Sequence, residues 1–381
     1  MNNFSFCNPT KILFGRGQIA RLAREIPADK KIMITFGGGS VRRNGVYEQV
    51  TAALAGRDYI EFWGIEPNPK VETLRRAVEQ CRAEGVEFLL AVGGGSVLDG
   101  TKLIASAVYY DGDAWELTLT GRAKGRVLPF ASVMTLPATG SEMNNGAVIS
   151  NAATAEKYAF YTNYPQFSIL DPETTFSLPP YQIACGIADS FVHVIEQYLT
   201  EVGVSPLMDR WAEGIMQTLV EVAPKVRENQ RDYDAMATYM LSATMALNGF
   251  VAMGVKQDWA THMIGHELTA LHGLTHGHTL VIVLPALMSV MRQQKGAKIA
   301  QMGERVFGIC EGDANSRIDR TIEATEAFFR SLGLTTRLTE EGIGEETIAQ
   351  IEHRFAERGT ALGEQGNIDA NVARQILERA L

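Results

Sequence analysis

Seven histidines occur in the 381 residues, and five of them, His262, His266, His272, His276 and His278, fall between positions 262 and 278. Imidazoles crowded this closely point to a metal site or a proton-transfer site. A solvated polar loop is the plainer account. It fits poorly, because Trp259, Met263, Ile264 and Leu268 interleave the histidines with apolar side chains. His262 and His266 are four residues apart, and so are Asp189 and His193. On a helix, residues at that spacing lie one above the other on a single face. Taken alone, Asp189 and His193 read equally well as an intrahelical ion pair. Together with the histidine window they offer one carboxylate and two or three imidazoles, a donor set that suits Zn²⁺ or Fe²⁺. No cysteine joins the set, so it is not a structural zinc ribbon.

Two glycine strings form the second chemical signal. Gly37-Gly-Gly-Ser40 and Gly93-Gly-Gly-Ser96 each follow an apolar, strand-like run and precede a helical pattern. Glycines let the backbone turn sharply and come close to a ligand, and the following helix presents free N–H groups to an anion. Neither string is G-x-G-x-x-G, so the ordinary Rossmann fingerprint is absent. The first string also bears on which dinucleotide fits. An acidic residue at this strand end would accept from the adenosine ribose and repel a 2′-phosphate. Here Ser40, Arg42 and Arg43 follow the glycines, which predicts NADPH in preference to NADH. The plainer reading of Arg42 and Arg43 is a solvated surface pair.

The elements that must position these groups fall into two halves. Residues 1–178 alternate strand-like and helical runs, as an α/β layered domain does. Lys31–Phe36, Val86–Val92, Phe130–Leu136 and Phe167–Leu170 read as strands, and Val46–Leu54 and Asp99–Val108 as helices. After Leu178-Pro179-Pro180 the pattern turns helical, with apolar residues at three-to-four spacing over 181–199, 208–222, 233–248 and 318–332. Pro180 suits a first helical turn. The expected organisation is an α/β, Rossmann-like dinucleotide-binding domain over 1–178 and an all-helical metal-binding domain over 179–381.

Composition narrows the partners. A net charge of −9 with 46% hydrophobic and 21% charged residues describes an ordinary globular chain. That balance argues against nucleic-acid binding through phosphates. Cys7, Cys81, Cys185 and Cys310 form no C-x-x-C pair and read as free thiols of a reducing compartment. No secretory signal and no apolar run of about 20 residues stands in the sequence. The expectation is a soluble cytoplasmic protein with no nucleic-acid or membrane partner.

These features occur together with Phe14-Gly-Arg-Gly17, Pro67-Asn-Pro69, Gly93-Gly-Gly-Ser-Val-Leu-Asp-Gly-Thr-Lys102, Thr139-Gly-Ser-Glu142 and His262-x3-His266-x9-His276-Gly277. As an ordered set covering nearly the whole chain, they resemble the iron-containing (group III) alcohol dehydrogenases, in particular the NADPH-dependent aldehyde reductase or butanol dehydrogenase branch. The resemblance implies metal ligands at Asp189, His193, His262 and His276. It places His266 near the nicotinamide, off the metal, and assigns no role to His272 or His278. It implies cofactor contacts at Gly38, Ser40, Asn68, Gly94, Gly95, Ser96, Asp99, Thr135, Thr139, Asn144 and Lys157, with Lys102 following Asp99. His266 and Asp99 are the candidate catalytic residues. A homodimer is implied as well. Thr275 stands where the family commonly has a proline before the last histidine ligand.

The implied chemistry is hydride transfer between NADP(H) and small, aliphatic aldehydes or primary alcohols. In it the metal polarises the carbonyl and His266, or the cofactor ribose, relays a proton to the alkoxide. Nitrogen and oxygen donors accept both Zn²⁺ and Fe²⁺, and the Irving–Williams order favours zinc as isolated. A glycerol- or diol-type polyol dehydrogenase and a metal-dependent lyase on the same scaffold are the alternatives. A lyase acting on a sugar phosphate needs cationic side chains near the metal, and 258–278 holds no lysine or arginine. A zinc hydrolase leaves the paired glycine strings unexplained, and a non-catalytic metal-binding protein has no use for a cofactor.

Overall fold

A computed structural model describes residues 1–381. Eight strands form, β1 (Lys11–Phe14), β2 (Ile32–Phe36), β3 (Tyr59–Phe62), β4 (Phe88–Gly94), β5 (Phe130–Leu136), β6 (Gly146–Asn151), β7 (Glu156–Tyr161) and β8 (Phe167–Leu170). Among them run the helices α1 (Leu22–Glu25), α2 (Val46–Ala53), α3 (Val71–Glu84), α4 (Gly95–Ala107) and α5 (Ala114–Leu119). The rest of the chain is helical: α6 (Pro180–Tyr198), α7 (Pro206–Glu228), α8 (Tyr233–Ala246), α9 (Ala260–His272), α10 (His276–Val290), α11 (Arg292–Phe307), α12 (Ala314–Ser331), α13 (Glu345–Glu357) and α14 (Ala370–Arg379).

Two compact units result, and neither is contiguous in sequence. The sheet unit takes residues 7–179 and 230–244, and the helical unit takes 1–6, 180–229 and 245–381. The simple division at 178 therefore misplaces two segments. Most of α8 belongs to the sheet unit because its side chains are used there. Met240 joins that unit's core, Tyr239 donates its hydroxyl to the Pro137 carbonyl, and Thr244 donates to Glu142. The N-terminal residues go the other way. Asn2 N–H donates to the Gly254 carbonyl at 2.9 Å, and Phe6 meets Phe250 edge-on.

The sheet has six parallel strands in the order β1-β8-β5-β4-β2-β3. Its central strands are buried along their length, as parallel strands covered on both faces must be. The period of two sorts their side chains. Ile32, Ile34, Phe36, Leu90 and Val92 enter one core, and Met33, Leu89, Ala91 and Met134 enter the other. From β2 the chain moves outward to β3 and then returns to lay β4 on the opposite side of β2. The strand order reverses there, and open α/β sheets bind ligands at such a crevice beyond the strand ends. Both glycine strings lie at the ends of these two strands.

Several elements differ from the sequence expectation. β1 and β3 are edge strands of only four residues each, too short to show a clear alternation. β6 and β7 form a separate antiparallel hairpin. Helix α3 ends on a left-handed Gly85 and packs its buried stripe, including Val71, Leu74, Val78 and Cys81, into a core. Helix α4 starts at Gly95 and not at Asp99, because Gly93 and Gly94 still belong to β4 and Gly95 and Ser96 already open the helix's first turn.

In the helical unit, α6 is buried from Ile183 to Tyr198, so its polar residues face protein. Helix α9 enters through Trp259, held left-handed at φ 67°, and leaves through Gly273. Helix α10 begins on His276, with Thr275 as its extended N-cap. No helix is long and apolar enough to cross a membrane.

Candidate metal centre and dinucleotide crevice

Three helices bring the predicted ligands together. Helix α6 carries Asp189 and His193 on one face, α9 carries His262, and the first residue of α10 is His276. Asp189 Oδ1 lies 3.5 Å from His193 Nε2, 3.8 Å from His262 Nε2 and 3.7 Å from His276 Nε2. With metal–donor distances of about 2.0–2.2 Å, tetrahedral ligand atoms stand roughly 3.3–3.6 Å apart. The His193 spacing falls in that range, and the His262 and His276 spacings exceed it by 0.1–0.2 Å. Asp189, His262 and His276 each place a donor atom within 4.8 Å of the other two. His193 approaches from the side of Asp189 and stacks on His262 at 4.7 Å between ring centres.

The electrostatics of this cluster favour a cation. Asp189 Oδ1 and His262 Nε2 are buried without a hydrogen-bond partner, a costly state unless something satisfies them. Burial alone would raise the Asp189 carboxyl, but the imidazoles around it hold it far below the usual carboxylate range. Burial likewise opposes a charged His262, yet Asp189 and Glu196 lift it to about 8. An anion facing three imidazoles in a buried pocket fits a divalent metal ion.

Helix packing sets this geometry as much as the ligands do. A Cβ on Gly277 would collide with the backbone carbonyl of Cys185, so only glycine lets α10 begin this close to α6. His266 lies beside the cluster, 5.1 Å from the His276 ring and 6.5 Å from His262, outside the close triplet. His278 turns away and bonds Tyr181 and Thr335. His272 bonds Thr347.

Sequence reasoning missed Glu196. It follows His193 by three residues on α6 and accepts from both the backbone N–H and the ring Nδ1 of His262, at 2.9 and 3.0 Å. The signal was present as Asp189-x3-His193-x2-Glu196, the carboxylate and imidazole residues of a mostly apolar helix, all on one stripe.

In the sheet unit the predicted dinucleotide residues gather at the C-terminal ends of the strands. Gly94, Gly95 and Ser96 join β4 to α4, whose N-cap Gly94 supplies no side-chain bond to the first turn. Those N–H groups suit an anion such as a pyrophosphate. The turn is tight, since a Cβ on Gly95 would strike the Thr139 side chain. Lys157 Nζ donates to Asn68 Oδ1 at 3.0 Å, and Asn68 N–H donates to Ser96 Oγ at 3.3 Å, so three of the predicted contacts form one chain. Asn68 takes a left-handed φ of 55° to do so. Thr135 is the penultimate residue of β5, and Thr139 and Asn144 bond each other through Asn144 Nδ2 and the Thr139 carbonyl.

Asp99 has both carboxylate oxygens committed, one to Ser141 Oγ at 2.6 Å and one to Val148 N–H at 2.9 Å. Lys102 is fully buried and donates to Ser141, Asn144 and the Gly146 carbonyl. Burial pushes the Asp99 carboxyl up and the Lys102 ammonium down to about 8, each partly offset by the other's charge. The two residues brace the 139–148 segment against α4.

At the first glycine string, Gly38 and Gly39 have open space where a Cβ would stand, and Ser40 opens a short 3-10 turn. Arg42 and Arg43 are both exposed, and Arg42 also stacks on an aromatic ring. Its guanidinium lies 4.0 Å over the Trp63 ring, and Trp63 in turn stacks on Phe36. The carboxylate nearby, Glu61, accepts from Tyr47 and Trp63 and lies 3.9 Å from Arg42.

Comparison with known proteins agrees with both units. Residues 9–172 match the iron-containing alcohol dehydrogenase family, and residues 183–381 match the C-terminal region of the Fe-containing alcohol dehydrogenase family. The chain is 50% identical to the NADPH-dependent aldehyde reductase YqhD of Escherichia coli over 100% of both chains. The crystal structure of YqhD superposes with a TM-score of 0.97, covering 100% of this chain and 99% of that one. A probable NADH-dependent butanol dehydrogenase of Bacillus subtilis is 40% identical, again over 100% of each. The NADH-dependent butanol dehydrogenase A of Thermotoga maritima is 37% identical, with a TM-score of 0.95 over 100% and 99% of the two chains. A match that spans both units, at these identities, makes the chain a member of the iron-containing alcohol dehydrogenase family.

Proposed function

We propose that this chain is a metal-dependent alcohol dehydrogenase or aldehyde reductase that moves hydride between NADP(H) and small aliphatic aldehydes or primary alcohols. The observation that carries the reading is the convergence of three imidazole Nε2 atoms on Asp189 Oδ1, at 3.5–3.8 Å, with Asp189 Oδ1 and His262 Nε2 buried and without a hydrogen bond. In this reading Asp189, His193, His262 and His276 hold a Zn²⁺ or Fe²⁺ ion. Bound there, such an ion polarises a carbonyl oxygen as a Lewis acid.

The chain's own residues do the rest. The first turn of α4 binds the cofactor pyrophosphate through backbone N–H groups, and Lys157, Asn68 and Ser96 fix the loop around it. Thr135, Thr139 and Asn144 line the same strand ends. Gly38 leaves room for the adenosine end, while Ser40 and Arg42 favour a 2′-phosphate. That preference is supported by Arg42, stacked over Trp63, and by the occupation of Glu61 by its own neighbours. His266, beside the ligand cluster, delivers the proton that the product alkoxide needs. Asp99 has no free oxygen for a proton-transfer step, because both its oxygens hold the 139–148 segment. We assign it a positioning role on the cofactor side.

Free cysteines support a reducing, cytoplasmic setting. A homodimer is part of the same reading, and light scattering on the purified chain measures it.

The test is NADPH consumption with butanal as sole substrate, using protein stripped by a chelator and reloaded with Zn²⁺ or Fe²⁺. The expected result is turnover that returns only with metal and that favours NADPH over NADH at matched concentrations. Turnover without metal overturns the ligand assignment, and an NADH preference overturns the reading of Ser40 and Arg42. Turnover confined to a diol or glycerol would favour the polyol dehydrogenase alternative.

A further inference from the structure

We propose that Glu196 is a positioning residue for the metal centre, fixing the His262 imidazole in the one tautomer and orientation that offers Nε2 to the ion. This rests on the reading of Asp189, His262 and His276 as ligands.

Glu196 is 2% exposed and stands on α6, three residues after His193 and seven after Asp189, on the same face of the helix. A buried carboxylate is retained only where donors satisfy it. Its Oε1 receives two bonds, one from the His262 backbone N–H at 2.9 Å and one with His262 Nδ1 at 3.0 Å. An imidazole that ligates a metal is neutral and carries one proton. With that proton on Nδ1 and directed at a carboxylate, Nε2 keeps its lone pair. Nε2 is the atom found buried, without a hydrogen bond, 3.8 Å from Asp189 Oδ1. The bond to the carboxylate also makes the imidazole a stronger donor to a metal.

The backbone bond adds a second constraint. Trp259, at the N-cap of α9, has no side-chain oxygen to satisfy the first turn of its helix. Glu196 reaches across from α6 and takes the N–H of the third helical residue, which is His262 itself. The Glu196 carbonyl accepts the Asp258 N–H at 2.8 Å as well. The position of the His262 backbone and the rotation of its ring are thus both referred to the helix that carries Asp189 and His193.

A purely structural cap would predict the same backbone bond and a loss of stability alone, so metal affinity is the deciding quantity. Zn²⁺ affinity is measured on apo protein by competition with a chromophoric chelator, for wild type, Glu196→Gln and Glu196→Ala. Circular dichroism confirms that each variant is folded at the assay temperature. Glu196→Gln keeps the shape and an acceptor but removes the charge, so it tests the proposal even if Glu196→Ala does not fold. We expect folded Glu196→Gln to bind Zn²⁺ about 10–100-fold more weakly than wild type. The visible spectrum of its Co²⁺-loaded form should shift relative to wild type. Wild-type Zn²⁺ affinity and an unchanged Co²⁺ spectrum in Glu196→Gln, even with lowered thermal stability, would reduce Glu196 to a helix cap and overturn the proposal. Failure of the wild-type protein to bind Zn²⁺ or Co²⁺ at all would overturn the ligand reading first and this inference with it.

Discussion

At the scale of single residues, charge and the lone pair decide what each side chain can do. His262 and His276 each direct Nε2 toward Asp189. Replacing either by alanine should abolish metal binding and turnover together, which metal analysis of the purified variant alongside an NADPH assay would show. Retained activity in either would remove that residue from the ligand set. At the cofactor end, two like unit charges 4 Å apart repel by about 4 kcal/mol at an effective dielectric of 20. A Ser40→Asp change places a carboxylate where the 2′-phosphate is expected. It should lower kcat/KM for NADPH by about 100-fold, equivalent to roughly 2.7 kcal/mol, and leave NADH little affected. Equal losses with both cofactors would mean that Ser40 does not face the 2′-phosphate.

At the scale of elements, close helix contacts and buried ion networks hold the residues in place. Gly277 lets α10 begin against the Cys185 carbonyl. Overpacking a tight contact costs about 1–3 kcal/mol, and here the neighbour is backbone, which has no rotamer to change. Gly277→Ala should therefore displace His276, weaken metal binding and lower the melting temperature, all measurable on one preparation. The start of α9 depends on a second network. Lys295 is buried and donates to Asp258, Glu364 and the Leu199 carbonyl, and Asp258 caps the Ala260 N–H. Breaking a buried pair strands its partners and costs about 3–5 kcal/mol. Lys295→Met keeps most of the volume but leaves two carboxylates without their cation. Thermal unfolding should show one of the largest losses available from a single change. A melting curve like that of wild type would mean that Asp258 and Glu364 share a proton and need no lysine.

At the scale of the whole molecule, burial sorts chemically identical groups. Cys81 and Cys185 are buried, and desolvation pushes both thiols up to about 12, whereas Cys7 and Cys310 are exposed. Thiolate is the reacting form. A maleimide should label two cysteines per native chain at neutral pH and all four after denaturation, as counted by intact mass. Rapid labelling of Cys185 in native protein would show that the contact between α6 and α10 opens readily. Metal binding should register globally too. An ion that binds only the folded chain stabilises it by mass action, so chelation should lower the melting temperature and added Zn²⁺ should restore it.

Much of this protein is legible in its residue order, and the reason is local periodicity. The central strands β2, β4, β5 and β8 are apolar runs closed by glycine, proline or an aspartate-proline pair, and the i, i+4 pairs Asp189/His193 and His262/His266 follow from helix geometry alone. The glycine strings announced the crevice because a backbone that must approach an anion has little choice of residue. What tertiary structure decided was everything that depends on partners distant in the chain. The edge strands β1 and β3 carry no clear pattern and exist because neighbours supply their hydrogen bonds. Residues 230–244 belong with the sheet because Tyr239, Met240 and Thr244 find their partners there. Glu196 and His262 are 66 positions apart, and spacing could not reveal that one carboxylate aligns the other's ring. Arg42 is an exposed charge whose stacking on Trp63, 21 positions away, no local spacing could announce. Spacing along one helix or strand is a property of the chain. The pairing of a charge, a ring or a lone pair with a distant group arises only when the helices and the sheet are packed.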